Sequence, residues 1–380
     1  MRGLLFTILI ICLVSCLQET KQDIPISSKS SKLQLKYAQN FSVDILDDYK
    51  ILSIKNPWPN AEKTYKYLLA SKAQISKMTF PSDYYDGIIT NSISKIVVTS
   101  TTHIPALELL GIENTLVGFP GTDYISSLKT RNRIDNGLVK ELGKNEGVNT
   151  EVLLDVNPDL VIGFGVDGIN KTFETIRKAN IPVIYNADWM EVSALAKAEW
   201  IKFFGVLFNK EKVADSVFNL IEKNYLEAKE LAKTVKTRPT VLSGAMTNDI
   251  WHLPAGNSPE AQFLKDANVN YLWKNTKGNG SLHLSFEAVL EKGKDADLWL
   301  SPSYYKTLEQ LQEANPLYTN FKAFKNKSVY SFTNAIGPTG GTLYYEIGTT
   351  RPDLILKDII KIAHPELLKD YQPYLFAPLE

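Results

Sequence analysis

The feature that most constrains this chain is a long helical stretch, free of strands, set between two segments in which strands and helices alternate. From residue 191 to 235 apolar side chains recur at helical spacing: Leu195, Trp200, Phe203 and Phe204, then Val213, Val217, Leu220, Ile221, Leu226 and Leu231. Residues 205–209 read as a break between two helices. The second helix then runs from about Lys210 to Val235, roughly 38 Å at 1.5 Å per residue, and Arg238-Pro239 ends it. Upstream, residues 37–54 read as two strands with Asp47-Asp48 at the turn. Residues 95–99 form a short apolar strand, and Ser100-Thr101-Thr102 can cap a helix that Gly111 stops. Residues 159–164 and 181–185 are further strands, with a helix from about Lys171 to Ala179 between them. Downstream, strands recur at 240–243, 297–300 and 328–332. This alternation implies parallel βαβ units. The expected fold class is α/β: two Rossmann-like α/β lobes joined by a single long α-helix, with a ligand cleft between the lobes. The plainer alternative is one α/β domain carrying a long surface helix. The expected organisation is a signal peptide (1–15), a flexible tether (16–34), a first lobe (35–190), a helical bridge (191–238) and a second lobe (239–380).

The N-terminus says where such a chain works. Met1-Arg2 is basic, Leu4 to Val14 is almost unbroken apolar sequence, and Leu13-Val14-Ser15-Cys16 closes on a cysteine. This is an export signal too short to span a bilayer as a permanent helix. Its ending resembles the lipobox of bacterial lipoproteins. That resemblance implies acylation of Cys16 and a protein outside the cytoplasm, tethered to the cell or periplasmic membrane by lipid; an ordinary secretory signal with a chance cysteine is the alternative. Residues 17–32 are polar and rich in Ser and Lys, as a tether would be. Lys and Arg (42) balance Asp and Glu (42), so no net field draws nucleic acid or an anionic membrane. The other cysteine, Cys12, lies inside the signal, which leaves no disulfide in the mature chain. His103, His252, His283 and His364 are scattered, with no pair at i,i+4. Neither a metal site nor a cofactor is expected from them, and a lone loop histidine is first a cap or wall residue.

An internal echo links the two halves. Glu151 precedes the strand that begins at Asp159, and Glu287 precedes the strand that begins at Asp297, at nearly the same separation. Each unit reads as a capped helix with a glutamate in its first turn, where it meets the positive end of the helix dipole, followed by a buried strand. With the segment 95–111, the Asn157-Pro158-Asp159 segment, the long bridge and the lipobox, the chain resembles the substrate-binding lipoproteins of bacterial ABC importers for vitamin B12, ferric siderophores or haem. The resemblance covers residue 35 to the end. It implies capture of an iron chelate or a corrinoid by a monomer and delivery to a permease dimer with a cytoplasmic ATPase. It also implies that Glu151 and Glu287 dock into arginine pockets on the two permease subunits. Haem or a free metal ion are alternatives within the same class, and so is handover to an outer-membrane receptor. Two departures are the length of the stretch between Tyr124 and Glu151 and the elaboration over residues 41–76.

One motif points to a different class. Gly163, Gly165 and Gly168 follow a strand and precede a helix, and Asp188 lies about twenty residues on, which matches a dinucleotide fingerprint. Against an exported oxidoreductase, the cofactor is cytoplasmic and the fingerprint ordinarily opens its domain. No Gly-x-Ser-x-Gly elbow is present, so no enzymatic activity is expected.

Ligands of two-lobed α/β proteins sit at the carboxyl ends of strands. In the first lobe the loops there place Thr101, Thr102, Tyr124, Arg131 and Arg133 as candidates. In the second lobe they place Trp251, Tyr304, Tyr305, Asn334, Thr339 and Tyr344. The aromatics would offer flat walls to a corrin, a porphyrin or a catecholate shell, and the arginines would meet ligand carboxylates. Ser258-Pro259 reads as a helix start that would bring its N-terminus near the cleft.

Overall fold

The computed structural model describes residues 22–23, 30–79, 84–145, 147–168, 170–302 and 304–380; the expected signal peptide and Cys16 lie outside the described residues. Two parallel sheets organise the fold. In the first lobe the spatial order is Lys140–Glu141, Leu116–Phe119, Ile96–Val98, Leu160–Gly163, Val183–Tyr185, all parallel. In the second it is Asn270–Tyr271, Thr240–Ser243, Leu298–Leu300, Val329–Ser331, with Ala377–Pro378 antiparallel at the edge. The chain order reverses between Ile96–Val98 and Leu160–Gly163 in one sheet, and between Thr240–Ser243 and Leu298–Leu300 in the other. At such reversals the flanking loops part and leave a crevice beyond the strand ends. The echo between the halves is structural. Asp159 accepts hydrogen bonds from the Ser94 and Lys95 N–H groups at the start of the central strand of its sheet. Asp297 accepts from the Thr240 N–H and hydroxyl at the start of the inner strand Thr240–Ser243, the neighbour of its own strand across the order reversal.

The N-terminal elaboration is a third sheet, Ser31–Lys32, Phe41–Ile45, Lys50–Ile54, Tyr65–Ala70 and Gly87–Thr90. It belongs to the first core: Phe41 packs on Trp200 with ring centres 4.6 Å apart. Ser31 and Lys32, within the segment expected as a tether, pair with Ile45 and Asp44 and close the open edge of that strand.

The bridge holds three helices, Ala194–Ala198, Ile201–Leu207 and Glu211–Ala232. Gly205 is not the expected break. It lies inside a helix, at the point where that helix meets the long one, and a Cβ there would come within 2.6 Å of the Ala214 methyl. The long helix has 22 residues. Its buried stripe is Ala214, Phe218, Ile221, Tyr225, Ala228 and Ala232, one helical face at alternating steps of four and three. Val213, Leu220 and Leu226, expected among the apolar positions, are exposed. The inner face uses small and aromatic residues instead, because the helix lies tight against its neighbours. The first three residues of the stripe belong to the core of the first lobe and the last three to that of the second. Farther along, the Tyr225 hydroxyl donates to Asp266 at 2.7 Å, and Lys229 pairs with the same carboxylate.

The lobes are also stitched by direct contacts outside the bridge. Glu346, buried in the helix Leu343–Ile347 of the second lobe, accepts the Ser126 and Ser127 N–H groups of the first at 2.5 and 2.9 Å. The Ser126 hydroxyl donates to the Gly341 carbonyl and the Thr339 hydroxyl to the Asp123 carbonyl. Gly341 is required by this approach, since a Cβ would sit 2.3 Å from the Tyr124 carbonyl oxygen. Burial pushes the Glu346 carboxyl up from 4.5 to about 7; the two serine N–H groups oppose that rise and nearby Glu108 adds to it. A carboxyl that keeps its proton longer in the folded state stabilises the fold most below its unfolded value, and that contribution is lost as pH rises to about 7. Glu346→Ala is expected to destabilise the protein by about 2–3 kcal/mol at pH 5, because two buried N–H groups lose their acceptor. It should also remove the Glu346 share of the pH dependence between pH 5 and 8, a range in which Asp188, raised to about 6 by burial, adds to the fall in stability and His103, kept neutral by burial, opposes it. Thermal unfolding across that range checks both, and a variant that keeps the parent slope contradicts the assignment.

Candidate functional site

A cavity of about 930 Å³ opens between the lobes. On the second lobe its floor is the carboxyl end of the central strands, Ser243-Gly244 and Leu300-Ser301, which is the crevice expected from the strand-order reversal. Its walls are aromatic. Phe332 stacks on Tyr344 at 4.6 Å and meets Tyr345 edge-on at 5.4 Å. Burial pushes the hydroxyls of Tyr344 and Tyr345 well up, so both stay neutral phenols. Tyr304 is 71% exposed and Trp189, from the first lobe, 37%. These rings have free area for a ligand.

A smaller cavity of about 250 Å³ adjoins it and shares Trp189 and Lys197. Ser100, Thr102, His103 and Phe164 line it at the reversal point of the first sheet. Asp188 is buried here; burial raises its carboxyl to about 6, while the Lys197 charge, the Trp189 N–H and the Thr102 hydroxyl pull the other way. His103 is fully buried and neither ring nitrogen has a partner; burial drops it to about 3, so the imidazole is neutral at any working pH. Of the residues lining the two cavities, Lys197 is the one with a fixed positive charge; the carboxyl groups of Asp188, Glu191 and Glu260 line the same cavities, and Asp188 feels the Lys197 charge. Glu191 is committed to structure, accepting from the Gln39 and Asn40 N–H groups and the Trp200 indole. Glu260 is exposed, in the first turn of Pro259–Asp266, the helix that Ser258 caps as its sequence predicts.

Thr102, Tyr304 and Tyr344 are the sequence-predicted ligand residues that line these cavities. Thr101 is half-buried beside Thr102 but lines neither. Trp251 is a correction: it is fully buried, stacked on Trp299 with ring centres 5.5 Å apart, and its indole donates to the Ser243 carbonyl. Arg131 and Arg133 are corrections for a shared reason. Their helix, Leu128–Asp135, turns them onto backbone carbonyls, Thr122 for Arg131 and Asn114 and Leu116 for Arg133, away from the cleft. Tyr305 packs against the second core, and the Asn334 amide ties the Lys306 and Pro378 carbonyls together. Tyr124 is 70% exposed and, with Thr339, sits at the stitched seam rather than in the cavity. The residues missed were Trp189, Lys197 and Phe332; Tyr345 closes the strand-end loop 334–345 already expected to face the ligand. Trp189 follows the strand Val183–Tyr185 and was reachable by the strand-end rule; Lys197 comes from a helix and carries no such signal.

The glycine fingerprint is a packing device. A Cβ at Gly163 would come within 2.2 Å of the Phe173 ring, and one at Gly165 within 2.5 Å of Trp58, so aromatic rings fill the space a pyrophosphate needs. Glu151 and Glu287 are both exposed, in the first turns of Thr150–Val156 and Phe286–Gly293, capped by Asn149 and Ser285. The Glu287 carboxyl is held low by its own N–H and the Ser285 hydroxyl. Each helix runs back along its parallel sheet, so each glutamate lies toward the cleft end of its lobe.

The chain is similar to an uncharacterized lipoprotein of Methanocaldococcus jannaschii, 27% identical over 93% of this chain and 87% of that one. Among solved structures it is similar to a possible iron-binding periplasmic solute-binding protein of Staphylococcus epidermidis (TM-score 0.56, 16% identity, 71% and 98% of the two chains). It is also similar to the periplasmic heme-binding protein HutB of Vibrio cholerae (TM-score 0.54, 16% identity, 69% and 99%). The profile of the periplasmic binding protein family matches residues 96–335, from the first strand of one parallel sheet through the last parallel strand of the other. Two lobes, a helical bridge and a cleft at both strand-order reversals thus come together in one conclusion: this chain belongs to the periplasmic binding protein family, the solute-binding proteins of ABC transporters.

Proposed function

We propose that this protein captures a metal chelate in the interlobe cleft and delivers it to an ABC permease, tethered outside the cytoplasm by acylated Cys16. The observation that carries this reading is the aromatic cavity of about 930 Å³ at the strand-order reversal, within the range of small-molecule and cofactor sites. The cavity's charge narrows the ligand. With Arg131 and Arg133 bonded elsewhere, one lysine, Lys197, lines the cavities together with Asp188 and Glu260, which leaves no surplus of positive charge. A multiply anionic catecholate complex, or the two propionates of haem, would enter without counter-charge. A neutral or weakly charged complex, such as a ferric hydroxamate or a corrinoid, fits the same walls through ring contacts. The uncharacterized M. jannaschii relative is itself named a lipoprotein, which supports the anchor. Glu151 and Glu287 then dock the two lobes on the two permease subunits, and confinement at the membrane makes weak docking sufficient.

Trp189 reports on the cleft. Titration with ferric hydroxamates, cobalamin and haem should quench its emission, and Trp189→Phe should reduce the quenching by ferric hydroxamates, because Trp189 is the tryptophan that lines the cavities. Tyr304→Ala should weaken binding about tenfold, or about 1.4 kcal/mol; full affinity in that variant excludes this wall as the contact surface. Reversing charge in Glu151→Arg with Glu287→Arg should cut uptake by at least about tenfold while leaving ligand affinity intact. An equal loss of affinity refutes the docking role.

A further inference from the structure

The sequence scatters its four histidines, but the fold brings two of them together. Asn248 and Asp249 both take positive φ, 50° and 62°, the geometry of a two-residue hairpin turn that fixes strand register. The turn pairs Ala245–Thr247 with Ile250–Pro254, and Ser281–Leu284 adds as a third antiparallel strand. His252 then stands directly opposite His283 on one face. Their ring centres are 4.8 Å apart and the rings are inclined at 76°. The opposite face carries Trp251 into the core; on the histidine face His252 lines the cavity wall, and His283 stands exposed beside it, outside the lining residues. Gly244 makes the arrangement possible: its φ is +77°, and a Cβ there would lie 1.8 Å from the His252 carbonyl oxygen. Ala245 and Ser281 flank the pair with small side chains. Among the described residues neither imidazole has a hydrogen-bond partner, so all four ring nitrogens are open.

We propose that His252 and His283 fill two adjacent coordination positions of a chelated transition-metal ion in the cleft. The geometry suits this role. Two imidazoles bound at 2.0–2.1 Å in neighbouring positions of a tetrahedral or octahedral ion have ring centres roughly 4.5–5.2 Å apart, and the observed separation of 4.8 Å lies inside that span. Two nitrogens alone do not complete a site. Among the described residues no group of three or more His, Cys, Asp or Glu could hold an ion, so the remaining ligands come from the chelator. The cargo is therefore an incompletely saturated complex of a metal that accepts imidazole, such as iron, nickel, copper or zinc. A planar macrocycle leaves only positions on opposite faces of the ring, which a side-by-side pair cannot fill together. This assignment rests on the cleft being the ligand site and narrows the cargo from any metal chelate to one with two adjacent vacancies.

Nickel nitrilotriacetate, which leaves two adjacent positions open, tests it against nickel–EDTA, which leaves none. Calorimetry on the protein carrying no histidine tag should show nitrilotriacetate binding at least tenfold tighter than EDTA. His252→Ala and His283→Ala should each lose at least tenfold of it, with unfolding curves confirming that both variants fold. Equal binding of the two chelates, or undiminished binding in both folded variants, overturns the proposal. Quenching of Trp189 in the same samples separates the two readings. If ferric chelates quench while the variants keep nickel binding, the imidazole pair is rejected and the cleft stands. If histidine-dependent nickel binding persists while no chelate quenches Trp189, the cleft reading falls and the pair stands as a metal site of its own.

Discussion

One buried helical stripe, Ala214, Phe218 and Ile221 in the first core and Tyr225, Ala228 and Ala232 in the second, fixes everything that follows. A helix whose single apolar face is divided between two cores cannot rotate or bend without opening one of them, and burial of each large side chain contributes about 1.5–3 kcal/mol. The stitches at Glu346, Ser126 and Gly341 fasten the lobes directly, outside the bridge. Between these two fastenings the carboxyl ends of both parallel sheets are held facing one another at a set distance. The cleft is what remains.

That rigidity sets the character of the site. A preformed cavity gives its ligand ring faces and neutral phenols that are already in place, so little ordering is needed at capture. Trp189 and Lys197 line both the larger and the smaller cavity, and the carboxyl groups of Asp188 and Glu260 offset the Lys197 charge and leave the cleft close to neutral. Selection then falls to shape, aromatic contact and donor geometry rather than to net charge. The three-stranded sheet carrying His252 and His283 is held by the same core that buries Trp251 and Trp299, since the two indoles donate to the Ser243 and Gly244 carbonyls at the strand end from which it starts.

The class of fold was legible because period and punctuation agreed: short apolar strands, capped helices and one uninterrupted helical stretch. The echo of Glu151-Asp159 in Glu287-Asp297 also proved structural, because each aspartate anchors the start of the neighbouring inner strand across the order reversal of its sheet. What the sequence could not show was direction. Helical spacing around residues 213–231 left two candidate faces, and the chain buried the one rich in Ala and aromatics. Trp251 and His252 are neighbours in a strand, so one had to face the core and the other the cleft, and only the packing of Trp299 decided which. Arg131 and Arg133 followed a strand-end loop, yet their helix aims them at carbonyls. The pairing of His252 with His283 depends on a register spread over three strands. Its one local trace was Asn248-Asp249, which favours the tight turn that sets it.

The central claim is that the shared helix and the seam hold the lobes at a fixed separation whether or not the cleft is filled. Spin labels on the exposed positions Leu138 in the first lobe and Leu317 in the second would measure that separation directly by electron–electron dipolar spectroscopy, with and without a saturating chelate. The account predicts a single narrow distance distribution whose mean moves by no more than about 3 Å on binding, as small rigid-body adjustments do. A broad distribution in the empty protein, or a shift on the order of 10 Å on filling, would be hinge closure and would contradict it.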